Sequence, residues 1–313
     1  MKILQIGKAK SGNYWLYNIL RRVCESADIQ LTSFIKNQPI YEEAKNWCLS
    51  VKDQAEIDVL DITKKGCYYG ISSAFRQPIL DIDDYIDKAS LVWSHSTLCN
   101  FSNVVLPKFN KIVYIIRDPR DVAISASKFA FTPYMKKYYP SSEKSPESYL
   151  NNILYLEVMD WILHVGRYIK HKDNLNIHVI FYERLLNQFP EELRALLEYL
   201  EVNLDQKSID AIQKSVSFKN MSKGNSNHVR RGDSQQWVEI LTDNQKRRVN
   251  QIAKPMLELL NYPTEEEVEY FLPSLPIKLN GKEIDKMLFR TNMKFVGLKV
   301  FRRLKSISQS AII

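Results

Sequence analysis

The segment that decides the fold is KILQIGKAKSGNYW, which covers residues 2–15. Its first half is apolar and predicts a short buried strand over residues 2–7. A helix follows, because apolar residues recur at helical spacing from Leu16 to Val23. The intervening loop contains Gly12, and a glycine loop before a helix N-terminus directs backbone N–H groups at an anion. The segment predicts an α/β fold with an anion site; an ordinary strand-to-helix turn is the alternative.

The loop departs from the usual nucleoside triphosphate loop. Gly7 and Gly12 have the spacing of that motif, but Asn13 and Tyr14 stand where it has Lys and Ser or Thr. The lysine lies inside the loop instead, as Lys10, and the magnesium-binding hydroxyl is missing. These features favour a P-loop-like anion site that works without a metal.

A second phosphate element follows the apolar run KIVYII, residues 111–116, which predicts a buried parallel strand. Arg117 lies at the carboxyl end of this strand, where ligands bind in open α/β sheets. Ser125 follows eight residues later, inside the next predicted helix. A guanidinium fork and a hydroxyl suit a phosphate. An ion pair with Asp118 or Asp121 is the alternative role of Arg117.

A third basic element lies in the segment HVRRGD, residues 228–233. Arg230 and Arg231, followed by Gly232, can surround a phosphate with two guanidinium groups and a backbone N–H. A plain exposed basic turn is the alternative. None of the basic tracts has the interleaved aromatic residues or the periodic basic stripe of a nucleic-acid binder, so we expect no nucleic-acid partner.

In order and spacing, the three elements resemble those of the cytosolic-type sulfotransferases, which use 3′-phosphoadenosine 5′-phosphosulfate (PAPS). The resemblance covers roughly residues 1–262. The loop with Lys10 is similar to the family's 5′-phosphosulfate loop, the Arg117 element to its 3′-phosphate element, and the segment 230–232 to its Arg-Lys-Gly motif. The resemblance implies a P-loop-like central parallel sheet flanked by helices, and PAPS as co-substrate with PAP as product.

The resemblance also assigns the nucleotide contacts. Tyr182 belongs to a stretch similar to the family's Tyr-Glu-Asp strand end, and Ser217-Phe218 is similar to its adenine-contacting pair. Asn13 departs from the family's Thr but can still donate to a phosphate, whereas the bulky Tyr14 is expected to point away. The full predicted set is Lys10, Ser11, Gly12, Asn13, Tyr14, Trp15, Arg117, Ser125, Tyr182, Ser217, Phe218, Arg230, Arg231 and Gly232.

Two residues are predicted to carry the chemistry. The stretch SLVWSH, residues 90–95, predicts a strand ending in His95, about twenty residues before Arg117, as in the family. His95 would accept the proton of the acceptor hydroxyl or amine, since imidazole titrates near neutrality. Lys10 would stabilise charge on the bridging oxygen of the leaving nucleotide. No metal is expected.

The acceptor is predicted to be a small molecule held by the variable regions around residues 34–93 and 129–150. Their aromatic residues are candidates for the pocket wall, with core packing as the alternative: Phe34, Tyr41, Trp47, Tyr68, Tyr69, Phe75, Trp93, Phe131 and Tyr134. A glycan or lipid acceptor, and a non-catalytic protein that binds nucleotide or docks on a membrane, stay open. The family's dimerisation motif is not found, so the oligomeric state is open too.

The charge is concentrated near the end of the chain. The 313 residues carry a net charge of +8, and residues 278–305 hold nine basic residues against two acidic ones. We therefore expect a sulfotransferase domain over residues 1–270 and a basic C-terminal helical extension over residues 271–313. Residues 284–305 could lie on an anionic membrane or dock on their own domain. The chain opens on a strand without a signal-peptide pattern, which favours a cytoplasmic protein.

Overall fold

A computed structural model of the chain describes residues 1–51, 53–222, 232–264 and 271–310, the last ten of these by backbone alone. Seven strands form one sheet in the order β4-β3-β2-β5-β1-β6-β7. The strands are β1 Ile3–Gly7, β2 Asp58–Thr63, β3 Gly66–Ile71, β4 Phe75–Pro78, β5 Leu91–Ser94, β6 Lys111–Ile116 and β7 Ile177–Phe181.

The helices flank this sheet. In chain order they are α1 Asn13–Ser26, α2 Ile40–Ala44, α3 Ile82–Lys88, α4 Ser102–Val105, α5 Pro119–Phe129, α6 Pro133–Tyr138, α7 Pro146–His171, α8 Tyr182–Asn187, α9 Phe189–Leu200, α10 Gln206–Ser215, α11 Phe218–Met221, α12 Gln236–Ile240, α13 Asp243–Leu259 and α14 Gly281–Ser310. The predicted α/β architecture, with a basic C-terminal helix, is confirmed.

The parallel core of the sheet contains β2, β5, β1, β6 and β7. In the centre, Ile3 of β1 is in register with Leu91 of β5 and with Lys111 of β6. The carboxyl ends of β1, β5, β6 and β7 therefore lie at the same end of the sheet. The first loop, His95, Arg117 and Tyr182 all lie at this end.

Strands β2, β3 and β4 form an antiparallel meander along one side of the sheet, with β4 as the outermost strand. The sequence did not predict this meander. The turn between β2 and β3 uses Lys64 and Lys65 and places Gly66 at a φ of 145°. This turn lacks the Asn-Gly or Asp-Gly pair that identifies a hairpin from sequence. These strands were therefore not predicted, and they lie in the region around residues 34–93 that was interpreted as variable.

Two apolar cores cover the two faces of the sheet. Leu4 and Ile6 of β1 face the core that includes α5, α7 and α13, whereas Ile3 faces the core that includes α1, α9 and α10. Successive side chains of a strand alternate between faces, so one strand supplies both cores. Burial on both faces is typical of parallel strands and fixes the register on which the site depends.

Helix α14 packs on α7 with one face of its first half. Ile284 is buried, Leu288 lies against Gly166, and Lys170 pairs with Asp285 at 2.5 Å. The alternative of a helix docked on its own domain therefore holds for this face. The division of the chain near residue 270 stays a prediction.

Candidate active site

The loop after β1 is built on two left-handed backbone positions. Lys10 has a φ of 72° and Gly12 a φ of 95°. A Cβ at Gly12 would lie 2.5 Å from Cδ2 of Tyr182, so the position needs glycine for conformation and for space. The bend lets α1 begin at Asn13, with its N-terminus directed into the loop.

Asn13 closes this loop on itself. Its Oδ1 accepts a hydrogen bond from Gln5 at 2.9 Å, and its Nδ2 donates to the Lys8 carbonyl at 2.8 Å. The side-chain amide, which was expected to donate to a phosphate, thus uses one of its two N–H groups to join the strand to the loop. Tyr14, as expected, directs its hydroxyl elsewhere, donating to Asp53 at 2.8 Å.

A single cavity of about 860 Å³ opens at the carboxyl ends of the strands. Most of the predicted site residues line it: Lys10, Gly12, Asn13, Tyr14, Trp15, His95, Arg117, Ser125, Tyr182, Phe218 and Gly232. Ser11 and Ser217 are not part of its wall. Arg230 and Arg231 lie outside the described residues.

The two serines that do not line the cavity differ from each other. Ser217 donates its hydroxyl to the Lys214 carbonyl at 2.8 Å, so it stabilises the turn before α11. Ser11 is fully buried within the loop, and its Oγ has no hydrogen-bond partner among the described residues. A buried hydroxyl without a partner is costly, which favours a ligand that supplies one.

Arg117 forms the floor between loop and cavity. It is 7% exposed, donates to the Asp233 carbonyl at 2.9 Å, and lies over the Tyr182 ring at 4.2 Å. Its Nε has no partner within the described part of the chain. Asp121 is 3.8 Å away, while Asp118 pairs with Arg120 at 2.6 Å. Arg117 can therefore interact with Asp121 and still offer its Nε to a ligand.

Three aromatic rings form a recess beside the loop. The Trp15 ring centroid lies 4.8 Å from that of Phe218 and 5.6 Å from that of Tyr182. Trp15 donates its indole N–H to the Val216 carbonyl at 3.0 Å, which fixes the ring. Gly232 leaves room for this cluster, because a Cβ there would lie 2.3 Å from the Phe218 ring. A recess of this kind suits a flat heteroaromatic base.

Helix α5 contributes two cavity residues, Lys128 and Phe129, that the sequence did not predict as part of the site. Lys128 lines the cavity, donates to Gln236 at 2.9 Å, and lies three residues after Ser125 on the same helix face. Phe129 supports the ammonium of Lys10, which lies 3.7 Å above its ring. Helical spacing from Ser125 was the signal that could have identified Lys128.

His95 has one assignable tautomer. Its Nδ1 lies 2.6 Å from the Gly7 carbonyl, which only accepts, so Nδ1 carries the proton. Nε2 then offers its lone pair and accepts the Trp93 indole N–H at 3.1 Å. The ring lines the cavity and is partly exposed there. Partial desolvation by the surrounding protein, with the charges of Lys8 and Lys10, lowers the pKa of His95 below its ordinary value, against the opposing effect of the Gly7 hydrogen bond.

A buried polar chain supports His95 from behind. Nε2 of His164 lies 3.2 Å from the His95 carbonyl, and the Tyr114 hydroxyl lies 2.7 Å from Nδ1 of His164. Burial lowers the pKa of His164 to about 3, so this ring stays neutral. Lys8 pairs with Asp160 at 2.8 Å in the same region. The His164 link depends on α7 folding over β5, so it was not visible in the sequence.

The aromatic residues expected around an acceptor mostly serve the core. Trp93 and Tyr134 line the cavity. Phe34 and Tyr69 pack against the main core, Tyr41, Trp47 and Phe75 against a small third cluster, Phe131 on Tyr149, and Tyr68 under Arg76. Core packing, the alternative role, therefore accounts for five of the nine.

A family model described as the sulfotransferase domain matches residues 1–261. The chain belongs to the sulfotransferase family. The predicted family and enzyme class, that of PAPS-dependent sulfotransferases, are thereby confirmed.

The relatives of this sulfotransferase are distant. Sulfotransferase 2B1 of Rattus norvegicus is 23% identical over 83% of this chain and 72% of its own length. The amine sulfotransferase of Oryctolagus cuniculus is 24% identical over 49% of this chain and 56% of its own length.

Solved structures share the fold of this sulfotransferase. Mouse sulfotransferase SULT7A1, complexed with PAP, aligns with a TM-score of 0.55 at 21% identity, covering 82% of this chain and 83% of its own. Retinol dehydratase in complex with androsterone and inactive cofactor PAP aligns with a TM-score of 0.56 at 14% identity, covering 86% and 82%. At these identities the likeness concerns the fold.

Proposed function

We propose that this sulfotransferase moves the sulfuryl group of PAPS to a hydroxyl or amine of a small-molecule acceptor and releases PAP. One observation carries the proposal: one cavity joins the glycine loop, Arg117, an aromatic recess and a histidine whose Nε2 is the unprotonated ring nitrogen. Each belongs to a different element, and the parallel sheet brings them to one edge.

The chain's own residues fit the nucleotide. Among the described residues, neither the buried Oγ of Ser11 nor the buried Nε of Arg117 has a hydrogen-bond partner, and phosphate oxygens would supply one to each. Ser125 and Lys128 extend this polar wall, and Trp15 and Phe218 would enclose the base. Arg230 and Arg231 complete the proposed 3′-phosphate contacts from outside the described residues.

PAPS supplies an activated sulfuryl group. The acceptor oxygen or nitrogen forms the new bond to sulfur while the bond from sulfur to the bridging phosphate oxygen breaks. Nε2 of His95 takes the acceptor proton, and Lys10 stabilises the charge that develops on the bridging oxygen. Because the low pKa keeps His95 neutral near pH 7, its lone pair is available there.

Trp93 is proposed as a positioning residue for this base. Its indole N–H donates a hydrogen bond to the lone pair of Nε2 at 3.1 Å. An acceptor hydroxyl that donates to Nε2 must replace that hydrogen bond. Trp93 thus favours the neutral ring and protects the base until an acceptor enters.

The acceptor side of the cavity favours an apolar molecule with a hydroxyl or amine. Ile57, Val59 and Ile240 give it apolar walls, and Ser72 and Ser73, both hydrogen-bonded to Tyr134, give it a polar patch. The androsterone in the retinol dehydratase complex is a molecule of this class, bound by a protein of the same fold. Glycan and lipid acceptors, and a non-catalytic nucleotide-binding role, are the alternatives.

Label transfer from PAPS tests the proposal. The full chain is incubated with sulfur-labelled PAPS and panels of sterols, phenols, amines, glycans and lipids, and PAP release is measured alongside. We expect labelled product from an apolar alcohol or amine, and stoichiometric PAP. Nucleotide binding without transfer to any panel would favour the non-catalytic alternative. A cytoplasmic location and the absence of a metal or nucleic acid stay predictions.

A further inference from the structure

An exposed apolar stripe runs along α14 on the side away from α7. Phe289, Met293, Val296 and Val300 have exposed fractions of 68%, 62%, 50% and 53%. Their spacing of four, three and four residues places them on one face of the helix, over a length of about 16 Å. Large apolar residues grouped in this way on a surface mark an interaction site.

A second apolar stripe on α14 consists of Ile284, Leu288, Phe295 and Leu298, which also recur at helical spacing. Ile284 and Leu288 pack on the domain, and Phe295 and Leu298 are half-buried on the same side. At about 100° per residue, the exposed stripe lies on nearly the opposite face. Helix α14 therefore has two apolar faces, one used by the fold and one left exposed.

Basic residues border the exposed stripe. Lys286, Arg290 and Lys294 follow one flank, and Lys299 lies on the other. No acidic residue occurs between residues 286 and 300. Just before this stretch, Asp285 is neutralised by Lys170 of α7 at 2.5 Å. Within the described part of the chain, this surface thus combines apolar side chains with basic ones.

We propose that this face of α14 docks on an anionic lipid surface. Lipid headgroups neutralise the basic flanks while the four apolar side chains enter the interfacial region. A second copy of the chain fits less well, because a symmetric contact would bring the same basic flanks together. Among the described residues, no helix combines the length and apolar character needed to cross a bilayer.

Vesicle co-sedimentation of the full chain tests this proposal. The chain is mixed with phosphatidylcholine vesicles, with and without phosphatidylglycerol. We expect binding to the anionic vesicles that weakens at high salt. Replacing two stripe residues, Phe289→Ser with Met293→Ser, should weaken it about tenfold or more. Replacing two flanking charges, Arg290→Gln with Lys294→Gln, should weaken it similarly.

A matched control separates the stripe from general surface hydrophobicity. Leu80 and Val104 are 97% and 58% exposed and lie elsewhere, so Leu80→Ser with Val104→Ser should leave vesicle binding unchanged. Retained melting temperatures show that the variants fold. The proposal is wrong if the native chain ignores anionic vesicles, if stripe and control variants behave alike, or if the stripe mediates a dimer that light scattering detects in the native chain and not in the variant.

Discussion

At the scale of single residues, the central feature is the hydrogen-bonding of His95. The Gly7 carbonyl fixes the proton on Nδ1, so the nitrogen that faces the cavity is the basic one. Replacement of His95 by Ala should reduce transfer from PAPS by about a hundredfold or more, because the base is lost. PAP affinity, measured by calorimetry, should stay nearly unchanged. Equal loss of both would show that His95 is structural.

The pH dependence tests the same residue. A base must be neutral, and the folded-state pKa of His95 is lowered, so activity is expected at neutral pH and lost only as pH falls through that pKa. The acid limb of kcat/KM should therefore lie below the ordinary histidine value of about 6.5. A limb at or above this value would contradict the assignment.

Trp93 gives a second prediction at this scale. Its N–H favours the neutral form of His95, so Trp93→Phe should raise the His95 pKa and move the acid limb of kcat/KM to higher pH. PAP affinity should not change. An unmoved limb, with only KM for the acceptor altered, would restrict Trp93 to the role of a cavity wall.

At the scale of elements, the unit of β1, its loop and α1 forms the centre of the proposed nucleotide site. Gly12→Ala places a Cβ against Tyr182 at a φ of 95°, so it should cost about 1–3 kcal/mol of stability and also weaken PAP binding. Gly66→Ala is the control, since Gly66 has a φ of 145° and nothing within 4 Å of its Cβ position. The control should lose stability while keeping PAP affinity. Equal PAP affinity in both variants would contradict the role given to the loop.

The sequence predicted those elements whose signals are local. The strand, loop and helix at residues 2–23, and the strand before Arg117, depend on short-range periodicity and were found correctly. The meander was missed because its turn has no strong signature. For the acceptor aromatics the sequence left core packing open, because the face on which a strand residue such as Tyr69 or Phe75 points depends on register with partners far along the chain.

At the scale of the whole molecule, the positive charge and the nucleotide site are separate features. The cavity of the proposed nucleotide site is lined by a few cations, among them Lys10, Arg117 and Lys128. The basic excess lies on α14, whose two apolar faces appear only once the helix is seen against α7. The apolar residues of both faces recur at helical spacing in the sequence, so their periodicity does not show which face packs on the domain.

The measurement that tests the central claim most directly is the melting temperature of the full chain with PAP, with AMP and with ATP. A nucleotide at a hundred times its Kd stabilises the folded state by about 2.7 kcal/mol. We expect PAP to raise the melting temperature by several degrees, and AMP and ATP, which lack the 3′-phosphate, to raise it far less. No shift with PAP, or equal shifts with all three nucleotides, would contradict the proposed PAPS site.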